Sequence, residues 1–189
     1  MSNDLRYDWT KAEIEEIYNM PLFTLIDRAK EAHKAHHDLG EVQVCTLLSI
    51  KTGGCPEDCA YCPQAARYHT NVKVHRLLDK DVVIEKAKQA QAAGSTRFCV
   101  GAAWREVRDN RDFDKVVDMV SEINGMGLEV CATLGMLKEH QAVRLKEAGL
   151  YAYNHNVDTS EEHYEEIIST RTYDDRLDTL KNVRKAGLT

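Results

Sequence analysis

"RFCVG", residues 97–101, and "LEVCAT", residues 128–133, are two short β-forming runs, and their alternation separates two architectures. Successive side chains of a strand point to opposite faces. Phe98 and Val100 therefore share one face and Arg97, Cys99 and Gly101 the other; Val130 and Ala132 share one face and Glu129, Cys131 and Thr133 the other. In an open sheet covered by helices on both sides, Arg97 and Glu129 would be buried against apolar helices, which is costly. A (β/α) barrel with a polar, ligand-holding interior suits them better.

The surrounding sequence supplies the repeating unit. Four glycines mark its phase, in "AAGSTRFCVG" (92–101), "GMGLEVCATL" (125–134), "EAGLYAYNHN" (147–156) and "KAGLT" (185–189), each where an amphipathic helix ends. The helices show as Val83, Ile84, Ala87, Ala90; as Phe113, Val116, Val117, Val120, Ile123; as Ala142, Leu145, Ala148; and as Leu177, Leu180, Val183. Strands follow the first three near 97–101, 128–133 and 151–156. An earlier apolar run, "VQVCTLLSI" (42–50), ends in the turn signal "KTGGCP" and reads as the first strand. Ahead of it, helical patterns over 9–20 and 22–37 are separated by Pro21. The fold class predicted is α/β: an N-terminal helical extension (1–40), then the first part of a TIM-type barrel (41–189), about four strand–helix units. The last segment stops at "GLT" where a fifth strand is due, so the barrel is expected to be incomplete. Such a piece, with a strand edge and inner face uncovered, is expected to be poorly soluble or to self-associate.

Composition narrows the partners. The chain has 189 residues, 43% apolar and 30% charged, with a net charge of −6. One soluble domain follows, with nucleic acid and anionic membrane surfaces disfavoured as partners. The start, "MSNDLRYDWTK", has neither the basic flank nor the apolar stretch of a secretory leader, and no run is long enough to span a bilayer, so a cytoplasmic location is expected. There the six cysteines stay reduced, and close spacing points to metal or redox chemistry.

That spacing is found in "GGCPEDCAYCPQ" (53–64), with Cys55, Cys59 and Cys62 in a loop after the first strand. Loops at the carboxyl end of barrel strands build the sites of barrel enzymes. Three thiolates can hold three irons of a four-iron cluster and leave the fourth open to an exogenous ligand. A structural zinc site completed by His69, or three unrelated thiols, are the plainer alternatives.

C-x3-C-x2-C with Tyr61 before the last cysteine resembles the signature of the radical S-adenosylmethionine family. The wider strings "TLLSIKTGGCPEDCAYCPQAARY", "AGSTRFCVGAAWR", "MGLEVCATLG", "YNHNVDTS" and "STRTYDDRLDTL" resemble its sulfur-inserting members from Gln43 onward. The resemblance implies a [4Fe–4S] cluster on Cys55, Cys59 and Cys62 that binds S-adenosyl-L-methionine and passes it one electron. The resulting 5′-deoxyadenosyl radical takes hydrogens from dethiobiotin, and a [2Fe–2S] cluster supplies the sulfur that completes biotin. It further implies Cys99 and Cys131 as two ligands of that second cluster, the others lying on strands beyond this chain. Asn156 and Asp158, with Asn154 nearby, would contact the ribose or the substrate ring, and Tyr61 would place its backbone near the adenine. A low-potential electron donor such as flavodoxin and a homodimer are also implied. A radical enzyme of the family that does not insert sulfur, and a zinc- or iron-binding module, remain as alternative readings.

Other residues have plainer readings. Cys45, about 16 Å from the loop end of its strand, is expected to be a buried, inert thiol. His33 and His37, one helical turn apart, read as a solvated face, and so do the charges of "SEEHYEE" (160–166). His155 falls on the face opposite to Asn154 and Asn156 and reads equally well as a hydrogen-bonded structural residue or a catalytic one. Arg97 shares parity with Cys99, which supports a role beside the cluster or, equally, an ion pair with Glu129. Trp104 and Arg105 are loop residues placed to line the site.

Overall fold

The computed structural model describes residues 6–189, so the first five residues of the stretch read against a secretory leader lie outside the described residues. The chain forms two compact units, divided between Val42 and Gln43. The first carries α1 (Lys11–Tyr18) and α2 (Leu22–His36). A capping box opens α1: Glu13 N–H donates to the Thr10 hydroxyl and Thr10 N–H donates to the Glu13 carboxylate at 2.8 Å. Pro21 stands at the N-cap of α2, where its missing N–H costs nothing. Neither helix buries a residue, and His33 and His37 are exposed with their rings stacked 5.2 Å apart.

The second unit alternates strand and helix: β1 (Cys45–Lys51), α3 (Lys80–Ala92), β2 (Arg97–Ala102), α4 (Arg111–Gly125), β3 (Glu129–Thr133), α5 (Glu139–Glu147) and β4 (Leu150–Tyr153). A 3-10 turn (Glu161–His163), the short α6 (Tyr164–Ile167) and α7 (Tyr173–Lys185) follow. The four strands are parallel in the order β1-β2-β3-β4, and the sheet is not closed, which makes it an incomplete barrel. The glycines after α3, α4, α5 and α7 take the left-handed conformation expected of them.

Side-chain parity sorts the two faces as the sequence requires. Phe98, Val100, Val130 and Ala132 are fully buried beneath the helices, against Val83, Phe113, Val116 and Leu145. Each of the large ones contributes roughly 1.5–3 kcal/mol by leaving water. The other face carries three rows in register: Cys45, Arg97 and Glu129; Leu47, Cys99, Cys131 and Ala152; Ser49, Gly101 and Thr133. Arg97 pairs with Glu129 and stands over the Tyr151 ring at 5.4 Å, while Gln43 donates to Glu129 at 3.2 Å.

β4 is shorter than expected. It ends at Tyr153, and residues 154–158 form an irregular segment in which Asn154 N–H still donates to the Ala132 carbonyl (2.9 Å) and Asp158 has φ 69°. Parity therefore stops applying beyond Tyr153. Within "SEEHYEE" Tyr164 is buried and its hydroxyl accepts from Arg176 Nε at 3.0 Å; the neighbouring charges are exposed.

The turn after β3 is held by the buried Tyr153 hydroxyl, which donates to the Gly135 carbonyl (2.5 Å) and accepts from Leu134 N–H (3.1 Å). Gly135 has φ 86°, and a Cβ there would meet the Trp104 carbonyl oxygen at 2.5 Å. Gly94 has a similar φ of 93° with nothing within 4 Å. Gly94→Ala is expected to cost about 1–2 kcal/mol, the left-handed penalty alone. Gly135→Ala adds a backbone clash and should cost at least about 3 kcal/mol; urea denaturation of the two variants side by side measures the difference.

Candidate functional site

The loop after β1 closes on itself around the cysteines. Gly53 and Gly54 turn the chain with positive φ; Cys55 N–H then donates to the Gln64 carbonyl (3.0 Å) and Ala66 N–H to the Cys55 carbonyl (2.8 Å). Gly53 N–H donates to the Gln64 side chain at 2.6 Å. Lys51 Nζ donates to the carbonyls of Gly53 and Ala103, tying the loop to the end of β2. Cys55 and Cys59 are buried and Cys62 is half-buried.

These three cysteines line one cavity of about 430 Å³ with Tyr61, Trp104, Asn154, His155, Asn156, Asp158, Arg171 and Arg176, above Leu47, Ser49, Gly101 and Thr133 of the inner face. The structure thus joins the loop cysteines to the "YNHNVD" residues. Cys99 and Cys131 are not among its lining residues: they lie side by side in the row of Leu47, with Arg97 in the next row down. His155 is buried on the same cavity as the asparagines, because the strand has ended and alternation no longer separates them. Cys45 is exposed, not buried, and its Sγ stands 3.3 Å from that of Cys99. Its parity with the inner face was legible; the burial was not, since parity says which face a residue joins and not what lies over it.

Sequence reasoning missed four charged residues of the site: Glu57, Asp58, Arg171 and Arg176. Asp58 Oδ1 accepts from Ser169 N–H (3.0 Å), Thr170 N–H (3.2 Å) and the Thr170 hydroxyl (2.9 Å), and Oδ2 from the Ser169 hydroxyl and Arg67 Nη1 (3.0 Å). Glu57 shares the single Thr170 hydroxyl proton with Asp58 and lies within ion-pair distance of Arg105 (3.4 Å) and Arg171 (3.6 Å). Arg171 Nη2 reaches Cys59 Sγ at 3.8 Å, and Arg176 pairs with Asp158. The available signal was electrostatic. Two carboxylates between two cysteines that ionise on binding metal need cations nearby.

The electrostatics follow from this packing. Burial would raise the Asp58 carboxyl, but the hydrogen bonds from Ser169 and Thr170 outweigh it and bring it down to about 2. Burial, then the Arg176 and Arg171 charges, lower His155 to about 3, so its ring is neutral. Burial and a hydrogen bond to Asp158 raise the Tyr61 phenol. Burial raises the Cys55 thiol, so it holds its proton.

The cavity has unspent bonding capacity. Arg171 Nε and Nη1, His155 Nε2 and Glu57 Oε1 are buried with no hydrogen-bond partner, and all three residues line it. Such orphans are rare unless a ligand or solvent completes them. Among the described residues no three His, Cys, Asp or Glu side chains converge on a single-ion site, and His69 is exposed and away from the cavity wall. Three thiols spread along one wall suit a polynuclear cluster, in which each iron takes one thiolate. The residues present fit a cluster with an anionic, hydrogen-bonding ligand beside it.

Residues 49–189 match the family described as the Radical SAM superfamily. The chain is 65% identical to a biotin synthase of Cytophaga hutchinsonii over 98% of its own length and 55% of that protein's, and 60% identical to one of Sorangium cellulosum over 97% and 53%. It therefore spans about half the length of the curated relatives it matches. A crystal structure of methylornithine synthase superposes with a TM-score of 0.73 over 96% of this chain and 54% of that one at 17% identity, a likeness of fold. No helix among the described residues is long and apolar enough to cross a membrane.

Asp58 ties the cysteine loop to a segment more than a hundred residues away, and its carboxyl is depressed below the usual 3.8. The stabilisation it gives is present above pH 4 and is lost as pH falls from about 4 to about 2. Asp58→Ala is expected to cost about 2 kcal/mol at neutral pH by leaving two N–H groups unpaired. Denaturation midpoints measured at pH 6 and pH 3 should show the gap between the natural chain and Asp58→Asn narrowing at the lower pH.

Proposed function

The chain belongs to the radical S-adenosylmethionine superfamily, and from that premise we propose that it forms the cluster-bearing part of a biotin synthase, a sulfurtransferase that converts dethiobiotin to biotin. The observation that carries this reading is the placement of Cys55, Cys59 and Cys62 on the same cavity as the unpartnered buried polar atoms of Arg171 and His155. When bound, a [4Fe–4S] cluster supplies an electron to S-adenosyl-L-methionine and a [2Fe–2S] cluster supplies sulfur.

The chain's own residues then have separate tasks. Cys55, Cys59 and Cys62 hold the first cluster and leave one iron for the nucleotide. Arg171 would present Nη1 to the nucleotide's carboxylate, with its Nε turned to Glu57 at 3.6 Å. Asn154, Asn156 and Asp158 offer amide and carboxylate groups to a ribose diol or cyclic urea, with Asp158 fixed by Arg176 and Tyr61. The neutral His155 adds a hydrogen bond without placing another charge beside two arginines. Cys99 and Cys131, adjacent in register on β2 and β3, are two ligands of the second cluster, and Arg97 supports them from below. Residues 1–40 form an extension and 41–189 the first part of the barrel. A low-potential donor such as flavodoxin, a homodimeric full-length protein and a cytoplasmic location complete the reading.

Anaerobic reconstitution with iron and sulfide tests it. The expected product is brown, with about four irons at the first site and a visible or electron paramagnetic resonance spectrum that changes on adding S-adenosyl-L-methionine. Cys55→Ala, Cys59→Ala and Cys62→Ala should each abolish that spectrum, whereas Cys99→Ala and Cys131→Ala keep it. Colourless zinc protein, or a cluster indifferent to the nucleotide, overturns the assignment.

A further inference from the structure

Cys59 is clasped to the segment that carries Arg171. On one side of it Asp58 accepts the N–H groups of Ser169 (3.0 Å) and Thr170 (3.2 Å); on the other Ala60 N–H donates to the Ile167 carbonyl (3.0 Å). Cys59 itself packs against Tyr164 and Ile168. Arg171 follows Thr170 directly, so the two ties hold it over the Cys59 sulfur. Its side chain is 6% exposed, and its three nitrogens face three ways: Nε towards Glu57 (3.6 Å), Nη2 to Cys59 Sγ (3.8 Å) and Nη1 to no partner. The contact is made between the cysteine loop and residues 164–171 and draws on neither edge of the sheet.

We propose that Arg171 is a positioning residue that sets the reduction potential of the cluster carried by Cys55, Cys59 and Cys62, by keeping its charge and one N–H on the Cys59 sulfur. The inference rests on the proposed function, which places an iron–sulfur cluster on these thiols. Taking up one electron adds negative charge that the sulfurs share, so a cation and an N–H donor at a sulfur favour the reduced state. The guanidinium stays protonated throughout, and no proton or bond has to move with the electron. Its burial keeps water from screening the effect. Glu57 acts in the opposite sense. Its carboxylate is 3% exposed and offsets part of the Arg171 charge, while its backbone N–H bonds the next sulfur, Cys55.

The test is a mediated redox titration of the anaerobically reconstituted chain, following the electron paramagnetic resonance signal that Cys59→Ala lacks. It is run without S-adenosyl-L-methionine, so that any part Arg171 has in holding that ligand does not enter. In Arg171→Gln the ratio of reduced to oxidised cluster at a fixed potential is expected to fall about tenfold, a move of about 59 mV to lower potential for one electron. Arg171→Lys keeps the charge without the planar fork and should fall between that value and the natural chain. Glu57→Gln should move the potential upward. Both substitutions loosen the same contact, so a merely structural role would shift them the same way. Should Arg171→Gln fail to load iron, Arg171→Lys and Glu57→Gln carry the test by their opposite signs. An unchanged potential in Arg171→Gln at full iron content, or shifts of one sign at the two positions, overturns the proposal and leaves the cluster assignment standing. A natural chain that binds zinc or takes up no iron overturns both.

Discussion

One carboxylate decides where the cysteine loop sits. Asp58 is almost buried, and it accepts five hydrogen bonds, four of them from Ser169 and Thr170 on the far side of the unit. Backbone N–H groups aimed at a charged acceptor are stronger than neutral pairs and fix direction as well as distance. Cys59, the next residue, is thereby placed against Tyr164 and Ile168 and within reach of Arg171. The loop could close on itself through Gln64 and Gly53 without this tie, but it would have nothing to hold it over the inner face of the sheet.

The same tie sets the charge balance of the cavity. Glu57 and Asp58 bring two carboxylates into the loop, and metal binding would add three thiolates. Arg67, Arg105, Arg171 and Arg176 surround this negative charge, the last two buried. A buried arginine without partners would be strongly destabilising, so each has one anionic contact, yet Arg171 Nη1 is left with no partner. Capacity kept free at a cost in stability is what a binding site requires, because a fully satisfied network has nothing left to offer a ligand.

The fold was legible where one-dimensional periodicity coincides with one packing decision. Phe98, Val100, Val130 and Ala132 alternate with Arg97, Cys99, Glu129 and Cys131 because helices cover one side of the sheet only, and that contrast is written in every second residue. Legibility failed where the strand ended early. His155 was assigned to the wrong face because alternation was carried past Tyr153 into an irregular segment. Burial of Cys45 was misjudged for a related reason: parity tells which face a residue joins, not whether anything lies over that face. The partnership of Asp58 with Ser169 and Thr170 spans over a hundred residues and has no period, so only the three-dimensional arrangement reveals it.

The two groups of cysteines differ in what holds them. Cys55, Cys59 and Cys62 sit on a loop whose shape depends on side-chain hydrogen bonds, so their separation can adjust when a metal binds. Cys99 and Cys131 are fixed by the register of β2 and β3, the most rigid frame the chain has, with the Arg97–Glu129 pair closing the row beneath them. On the proposed function, the site that admits a substrate would be served by the adjustable frame and the site of the two in-register thiols by the sheet. Cys45, on the outermost strand and at its first residue, belongs to the row of Arg97 and Glu129 but not to the rigidity of its centre.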